Sequence, residues 1–162
     1  MRELMGVHHT AVSVPDLATA RRFYIDLLGA TETSAADWPR GTAIINEIVG
    51  LPDTAGKQFL ARLGNTYIEV FEYAEPVSPP QDPDRPVHLH GYTHVGFQVS
   101  DIHAVHARMV EAGIRFHAPP VYFGEAEGDA QRTQGFWATY GRDFFGNVFE
   151  ILEINEGSAV RA

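Results

Sequence analysis

The chain has 162 residues, of which 44% are hydrophobic and 20% charged, as is ordinary for a globular protein. Because no cysteine is present, disulfides, thiolate metal sites and a cysteine nucleophile are excluded. The formal net charge of −9 argues against nucleic-acid binding, and every apolar run is too short to span a bilayer. The N-terminal residues show no secretory signal, so we expect a cytoplasmic protein without nucleic-acid or membrane partners.

The first half of the chain is predicted to follow the order β-α-β-β-β. Residues 6–14 alternate in polarity as a half-buried strand does, and Asp16 is placed to cap a helix that ends near Leu28. The segment 43–49 is also apolar enough for a strand, although the Gly and Pro residues after it mark a loop. The remaining strands of this half are predicted at 30–35, 58–63 and 66–73.

The second half is predicted to repeat this order. Its first strand covers 91–99, and Asp101 is placed to cap a helix that ends at Gly113. The polar stretch 119–134 is predicted to be a loop over the functional site. The other strands of this half are predicted at 114–117, 136–140 and 148–154.

A proline-rich stretch separates the two halves. Residues 75–90 hold five of the 10 prolines and few apolar residues, which is typical of an extended, solvent-facing linker. We therefore expect a first βαβββ module at 1–74, this linker, a second module at 91–155 and a frayed tail at 156–162.

Each half opens with a histidine on a strand, His9 or His94, and closes with a glutamate on a strand, Glu69 or Glu150. Alternate positions of a strand share a face, so the apolar residues beside each histidine face the helix and the histidine faces the other side. Glu150 lies among apolar neighbours, where a lone ionised carboxylate would be costly. A cation held by two imidazoles and two carboxylates would supply the missing partner. Matched residue types at matched positions favour such a site over four unrelated structural roles.

Other residues of the same types lack this repeat. The remaining histidines are interpreted as structural: His8, His88, His90, His103, His106 and His117. Glu72 and Glu153 are interpreted as solvated or ion-paired. Several aromatic residues suggest a ligand that is largely apolar or planar, and a structural role explains each of them at least as well. These residues are Tyr67, Phe71, Tyr73, Phe136 and Trp137.

The sequence resembles the vicinal oxygen chelate superfamily, also called the glyoxalase/bleomycin-resistance/dioxygenase family, over about residues 6–155. The matching segments are HTAVSVPDL (9–17), FYIDLLG (23–29), LGNTYIE (63–69), HVGFQVSD (94–101) and RDFFGNVFE (142–150). The resemblance implies an α+β fold in which two βαβββ modules form an open, cup-shaped mixed sheet with the helices outside. It also implies one divalent metal and a homodimer.

The resemblance also implies which residues act. It assigns the metal to His9, Glu69, His94 and Glu150, a set that looks like the glyoxalase I type and is close to methylmalonyl-CoA epimerase. The stretch 47–69 resembles the epimerases more than the glyoxalases. The epimerases place a catalytic carboxylate in the loop where Asp53 falls, and Glu47 is a further candidate.

This ligand set predicts proton-transfer chemistry. It suits Ni²⁺, Co²⁺, Zn²⁺, Mn²⁺ or Mg²⁺ and leaves two octahedral positions for vicinal oxygens of a small-molecule substrate. The metal would stabilise an enediolate as a Lewis acid while a carboxylate removes the proton α to a carbonyl. The candidate bases are Asp53 and, if displaced from the metal, Glu150 or Glu69. We therefore predict a metal-dependent isomerase, epimerase or lyase.

Other functions fit parts of the pattern. An extradiol-type Fe²⁺ dioxygenase would use His9, His94 and Glu150, with Tyr140 or His117 as an acid–base residue, but a fourth ligand would occupy a position that O₂ chemistry needs. A ligand-sequestering protein of the bleomycin-resistance type lacks the metal ligands, so the full set argues against it. Another metal-dependent reaction, such as thiol transfer, is a further alternative.

Overall fold

The computed structural model describes residues 3–124 and 134–160. The chain forms two compact units, Met1–Pro80 and Gln81–Ala162, and each unit contains one mixed β-sheet with helices. This architecture confirms the predicted α+β class with two modules, and each unit adds one element to the predicted βαβββ order, a helix at Ala43–Val49 and a strand at Val121–Phe123. No helix within the described ranges is long and apolar enough to cross a membrane.

The first unit contains four strands and two α-helices. The strands are β1 (His9–Ser13), β2 (Thr31–Trp38), β3 (Ala55–Leu63) and β4 (Thr66–Glu75), and the α-helices are α1 (Leu17–Arg21) and α2 (Ala43–Val49). The sheet has the order β1-β4-β3-β2, in which β1 is parallel to β4 and the other neighbouring strands are antiparallel. Helix α1 continues directly into a π-helical segment, Arg22–Leu27.

Residues 43–49 form helix α2, although their composition is apolar enough for a strand. The Thr42 carbonyl accepts the first helical hydrogen bonds, and Gly50 ends the helix in the left-handed conformation, with φ of 68°. The Asn46 amide oxygen accepts from the backbone N–H and the hydroxyl of Thr54, at 2.8 and 2.7 Å. The hydrogen bonds at the two ends of the helix and those of the Asn46 side chain outweigh the preference of three isoleucines and a valine for strands.

The second unit contains one helix and five strands. The elements are β5 (Val95–Gln98), α3 (Ile102–Glu111), β6 (Arg115–Phe116), β7 (Val121–Phe123), β8 (Phe136–Arg142) and β9 (Val148–Ile154). The strand order of the sheet is β5-β9-β8-β6, and β7 also pairs with β8. Strand β5 is parallel to β9, as β1 is to β4 in the first unit.

Strand β7 corrects part of the predicted loop at 119–134. Tyr122 pairs with Trp137 in an antiparallel ladder, so this stretch extends the sheet instead of remaining irregular. Residues 125–133 lie outside the described residues, so the expectation that the loop covers the site stays a prediction.

Two glutamates tie the helices to the sheets in the same way. Glu72 of β4 accepts a hydrogen bond from the Leu17 backbone N–H at 2.8 Å, and Glu153 of β9 accepts one from Ile102 at 2.8 Å. Each carboxylate therefore satisfies an otherwise unpaired N–H at the start of a helix, next to the positive end of the helix dipole. Glu72 also forms the ion pair expected of it, with Lys57 at 3.0 Å. Helix capping corrects the purely solvated interpretation of both residues.

Part of the predicted linker is bound to the second unit. Arg142 is 8% exposed, and its guanidinium donates to the backbone carbonyls of Pro83, Arg85 and Gly146 at 3.2, 3.0 and 2.9 Å. Gly146 has φ of 93°, and a Cβ there would lie 2.3 Å from the Pro83 Cα. The close approach therefore requires glycine at this turn.

Candidate functional site

Strands β1 and β4 bring His9 and Glu69 together in the first unit. Ala11 pairs with Glu69 in the parallel ladder, and His9 precedes Ala11 by two positions, so both side chains are on one face. The His9 Nε2 atom lies 3.3 Å from Glu69 Oε2, and 41% and 25% of the two side chains are exposed. The alternating residues Ile68 and Val70 are buried on the opposite face, as the sequence pattern predicts.

The second unit repeats this arrangement with His94 and Glu150. Gly96 of β5 pairs with Glu150 of β9, and His94 again precedes the paired position by two residues. The His94 Nε2 atom lies 3.5 Å from Glu150 Oε2, and the side chains are 26% and 19% exposed. Two separate strand ladders thus produce the same His–Glu pair.

The donor chemistry of these pairs fits a divalent cation. Within the described residues, neither glutamate forms an ion pair with lysine or arginine. Each pair offers an imidazole nitrogen and a carboxylate, which suit metals from Mg²⁺ to Zn²⁺. No group of three or more His, Asp or Glu side chains able to hold a metal occurs within either unit as described. Each pair is therefore half of the predicted ligand set.

An aromatic cluster lies on the Glu69 face of β4. Phe71 and Tyr73 follow Glu69 at alternate positions, and their ring centroids are 5.9 Å apart. Trp38, at the end of β2, packs edge-on against Tyr73 at 5.5 Å. Burial, and then the Glu69 charge, raise the pKa of Tyr73, so its phenol stays protonated at neutral pH. These residues make one side of the candidate site apolar.

Tyr140 lies beside the second His–Glu pair. It pairs with Glu150 across the β8–β9 ladder, and its ring centroid lies 4.6 Å from that of His94. Burial, and then the Glu150 charge, raise the pKa of Tyr140, so the phenol is a hydrogen-bond donor at neutral pH. The hairpin register sets this position, and the sequence pattern alone did not locate it.

His117 lies farther away, with its ring centroid 6.3 Å from that of Tyr140. Burial, followed by the charges of Arg142 and Arg115, lowers the pKa of His117. Its imidazole is therefore neutral at pH 7.

Two of the aromatic residues suggested for ligand contact have other neighbours. The Trp137 ring packs against His103 of α3 at 4.8 Å, on the opposite face of β8 from Tyr140. Phe136 stacks on Phe123 of β7, with ring centroids 5.1 Å apart. Their contacts within the unit favour the structural interpretation of both.

The structure places Asp53 in an ion pair with Arg40. The Asp53 Oδ2 atom lies 3.3 Å from the Arg40 guanidinium, and 61% of the Asp53 side chain is exposed. Within the described residues, the Asp53 carboxylate forms its ion pair with Arg40 and takes no part in the His9–Glu69 contact. Glu47 is exposed on α2. The candidate bases therefore differ in setting, because Glu69 and Glu150 lie beside histidines and Asp53 does not.

Comparisons with known proteins agree with this architecture. The model of the Glyoxalase/Bleomycin resistance protein/Dioxygenase superfamily matches residues 6–151. An uncharacterised protein of Escherichia coli K12, YaeR, is 31% identical over 115 residues, which are 71% of this chain and 77% of that protein. The mitochondrial methylmalonyl-CoA epimerase of Mus musculus is 30% identical over 130 residues, which are 75% of this chain and 66% of the epimerase.

A solved structure shows the same fold. The glyoxalase family protein from Bacillus cereus superposes with a TM-score of 0.81 at 19% identity, over 96% of this chain and 99% of that one. The match to the family model covers most of the chain and both His–Glu pairs. The chain therefore belongs to the glyoxalase/bleomycin resistance protein/dioxygenase superfamily, the family that its sequence motifs predict.

Proposed function

We propose that the protein is a divalent-metal-dependent isomerase, epimerase or lyase that removes a proton α to a carbonyl. The observation that supports this proposal is the His–Glu pair that occurs once in each module, with Nε2–Oε2 distances of 3.3 and 3.5 Å. A duplicated module has no structural need to keep a partly exposed His–Glu contact twice.

The four residues proposed to hold the cation are His9, Glu69, His94 and Glu150. When bound, a Ni²⁺, Co²⁺, Zn²⁺, Mn²⁺ or Mg²⁺ ion supplies Lewis acidity that stabilises negative charge developing on the substrate oxygens. The aromatic cluster of Trp38, Phe71 and Tyr73 would exclude water from one side of the substrate.

Glu150 or Glu69, once displaced from the metal, is the favoured base. Asp53 is less favoured, because its carboxylate is paired with Arg40 instead of lying beside a proposed metal ligand. Glu150 has a further advantage, because the protonated Tyr140 phenol lies on its neighbouring strand and can donate a hydrogen bond to a substrate oxygen.

The similarity to a methylmalonyl-CoA epimerase supports an acyl thioester as the substrate class. The α-proton of a thioester with a second carbonyl group is acidic enough for a carboxylate base when the resulting charge is stabilised. The hemithioacetals used by glyoxalase I are the second class to test.

Solvent-deuterium exchange tests the proposal. The protein is loaded separately with Co²⁺, Ni²⁺, Zn²⁺, Mn²⁺ and Mg²⁺ and incubated in D₂O with methylmalonyl-CoA or with the hemithioacetal of methylglyoxal and glutathione. We expect deuterium at the α-carbon, and a rate that falls by about 100-fold or more in Glu150→Gln. Glu153→Gln makes the same chemical change on the opposite face of β9 and should retain the rate.

Other outcomes would contradict the proposal. Tightly bound Fe²⁺ with O₂ consumption on catechols would indicate the extradiol dioxygenase. Binding of small apolar molecules without any metal would indicate a ligand-sequestering protein.

A further inference from the structure

We propose that His8 and Thr93 are positioning residues that hold the rings of His9 and His94 by hydrogen bonds at Nδ1, so that each Nε2 atom faces its glutamate. The link to metal binding rests on the proposed function, whereas the hydrogen bonds at Nδ1 are a property of the metal-free chain.

The first unit shows a short contact on the far side of the His9 ring. The Nδ1 atoms of His8 and His9 are 2.9 Å apart, a normal hydrogen-bond distance, so one proton lies between them. The His8 ring stacks on Tyr67, with centroids 5.0 Å apart and planes 13° from parallel. The His8 carbonyl also accepts hydrogen bonds from the Tyr67 N–H and the Thr66 hydroxyl. His8 is therefore fixed by its own contacts and can orient its neighbour.

The second unit reaches the same arrangement with a different side chain. The Thr93 Oγ1 atom lies 2.9 Å from His94 Nδ1. As in the first unit, the partner is the residue immediately before the histidine, and the Nε2 atom faces a glutamate. A threonine hydroxyl and an imidazole can each accept a hydrogen bond from Nδ1–H or donate one to an unprotonated Nδ1.

The Nδ1 contacts have a normal hydrogen-bond length of 2.9 Å in both units, whereas the Nε2–carboxylate contacts are longer, at 3.3 and 3.5 Å. An ionised carboxylate can only accept a hydrogen bond, so a neutral ring in the metal-free chain satisfies both contacts with its proton at Nε2 and with His8 or Thr93 donating to Nδ1. A metal at Nε2 requires the proton to lie on Nδ1, where the same two residues can accept a hydrogen bond from it. The partner at Nδ1 therefore holds the ring in both forms.

Such a partner matters to a metal ligand for a general reason. A histidine binds a metal through a nitrogen without a proton, and a hydrogen bond from the other nitrogen fixes the ring orientation. Loss of such a partner typically lowers metal affinity by about 10–100-fold.

Long-range ¹H–¹⁵N NMR on the full-length protein, without metal and with Zn²⁺, tests these hydrogen bonds directly. The signals of His9 and His94 are assigned by their absence from His9→Asn and His94→Asn. We expect both residues to carry their proton at Nε2 in the metal-free chain and at Nδ1 when Zn²⁺ is bound. His8→Phe keeps a ring to stack on Tyr67 but removes the hydrogen-bond partner, so the Nδ1 signal of His9 should shift towards that of a solvent-exposed ring. Thr93→Val should do the same to His94. Unchanged Nδ1 signals in both variants, or Zn²⁺ bound through Nδ1, would overturn the proposal.

Titration with Co²⁺ provides the second measurement. We expect His8→Phe and Thr93→Val each to weaken binding by about 10–100-fold. The variants His8→Asn and Thr93→Ser, which keep an acceptor oxygen, should recover most of the affinity. His88→Phe makes the same substitution at an exposed histidine and should bind as the wild type does. Unchanged affinity in His8→Phe and Thr93→Val would overturn the positioning role. A wild-type protein that binds no metal would instead contradict the proposed function, and the hydrogen bonds at Nδ1 would still be tested by NMR on the metal-free chain.

Discussion

Burial determines how His106 titrates in the second unit. Its ring packs against Phe116 of β6, with centroids 4.4 Å apart. Burial, and then the charge of His103, lower the pKa of His106. The folded protein therefore binds a proton at this site less readily than the unfolded chain does.

A pH-dependent loss of stability follows. Because the folded-state pKa is below the unfolded value of about 6.5, stability should fall as the pH decreases through that value, until the folded form is also protonated. We expect Tm to decrease between pH 7 and pH 5, and to decrease less in His106→Leu. His117, whose pKa is also lowered, should leave part of the slope in place. Differential scanning calorimetry at both pH values measures the slopes, with His88→Leu as an exposed control. Equal slopes for His106→Leu and the wild type would contradict this account.

The sequence indicated individual site residues only where the same residue types occur at matched positions in both halves of the chain. The repeat singled out His9, Glu69, His94 and Glu150, and the structure pairs them within each unit. Their metal-binding role stays a prediction. The partners of their other ring nitrogens differ between the halves, so no repeat could mark His8 and Thr93. Their contacts depend on ring orientations that periodicity does not determine.

Helix capping by distant glutamates operates on the scale of secondary-structure elements. The first helix of each unit receives two carboxylates, one from the residue before it and one from a strand that follows much later in the chain. In α3 these are Asp101, which accepts from the Ala104 N–H, and Glu153, which accepts from Ile102. The strand carboxylate therefore fixes where the helix starts on the sheet.

Removing this carboxylate should destabilise the fold. We expect Glu153→Ala and Glu72→Ala each to lower the free energy of unfolding by about 1–2 kcal/mol, because a charge-assisted hydrogen bond to a helix N-terminus is lost. Urea denaturation followed by circular dichroism measures the change. Glu111→Ala, at the exposed end of α3, should stay within about 0.5 kcal/mol of the wild type. An equal loss in Glu111→Ala would show that the effect is one of net charge.

The elements were predictable to different degrees. The amphipathic face and the Asp101 cap predicted α3, with Ile102 and Met109 buried as expected. Helix α2 was not predictable from its side chains, because Ile44 and Ile48 are exposed and thus give no helical core pattern. The Asn46 side chain accepts hydrogen bonds from Thr54, which lies beyond the end of the helix, and side-chain periodicity does not indicate this contact.

The two units together offer four donors, and the number of ions bound per chain shows how they are used. If a single ion uses both His–Glu pairs, the protein should bind one Co²⁺ per chain, and Glu69→Gln or Glu150→Gln alone should remove nearly all binding. Isothermal titration calorimetry gives the stoichiometry, and Glu72→Gln and Glu153→Gln are the matched controls. Two ions per chain, or loss of one of two in each variant, would show that the pairs act separately.

The whole-molecule prediction rested on duplication. The repeated order of strand, helix and three strands gave the fold class, which the structure confirms. The homodimer implied by the family stays a prediction, and sedimentation of the 17.9 kDa chain would test it. Assembly depends on surface complementarity, which has no periodic sequence pattern.

Strands β4 and β9 each present a proposed metal ligand and, three residues later on the opposite face, the glutamate that caps a helix. Side chains alternate along a strand, so one residue inserted between Glu69 and Glu72 would turn one of the two to the wrong face. The same holds between Glu150 and Glu153. Evolution can therefore exchange the two intervening side chains of each strand for other apolar ones, but it cannot lengthen or shorten that interval and keep both roles.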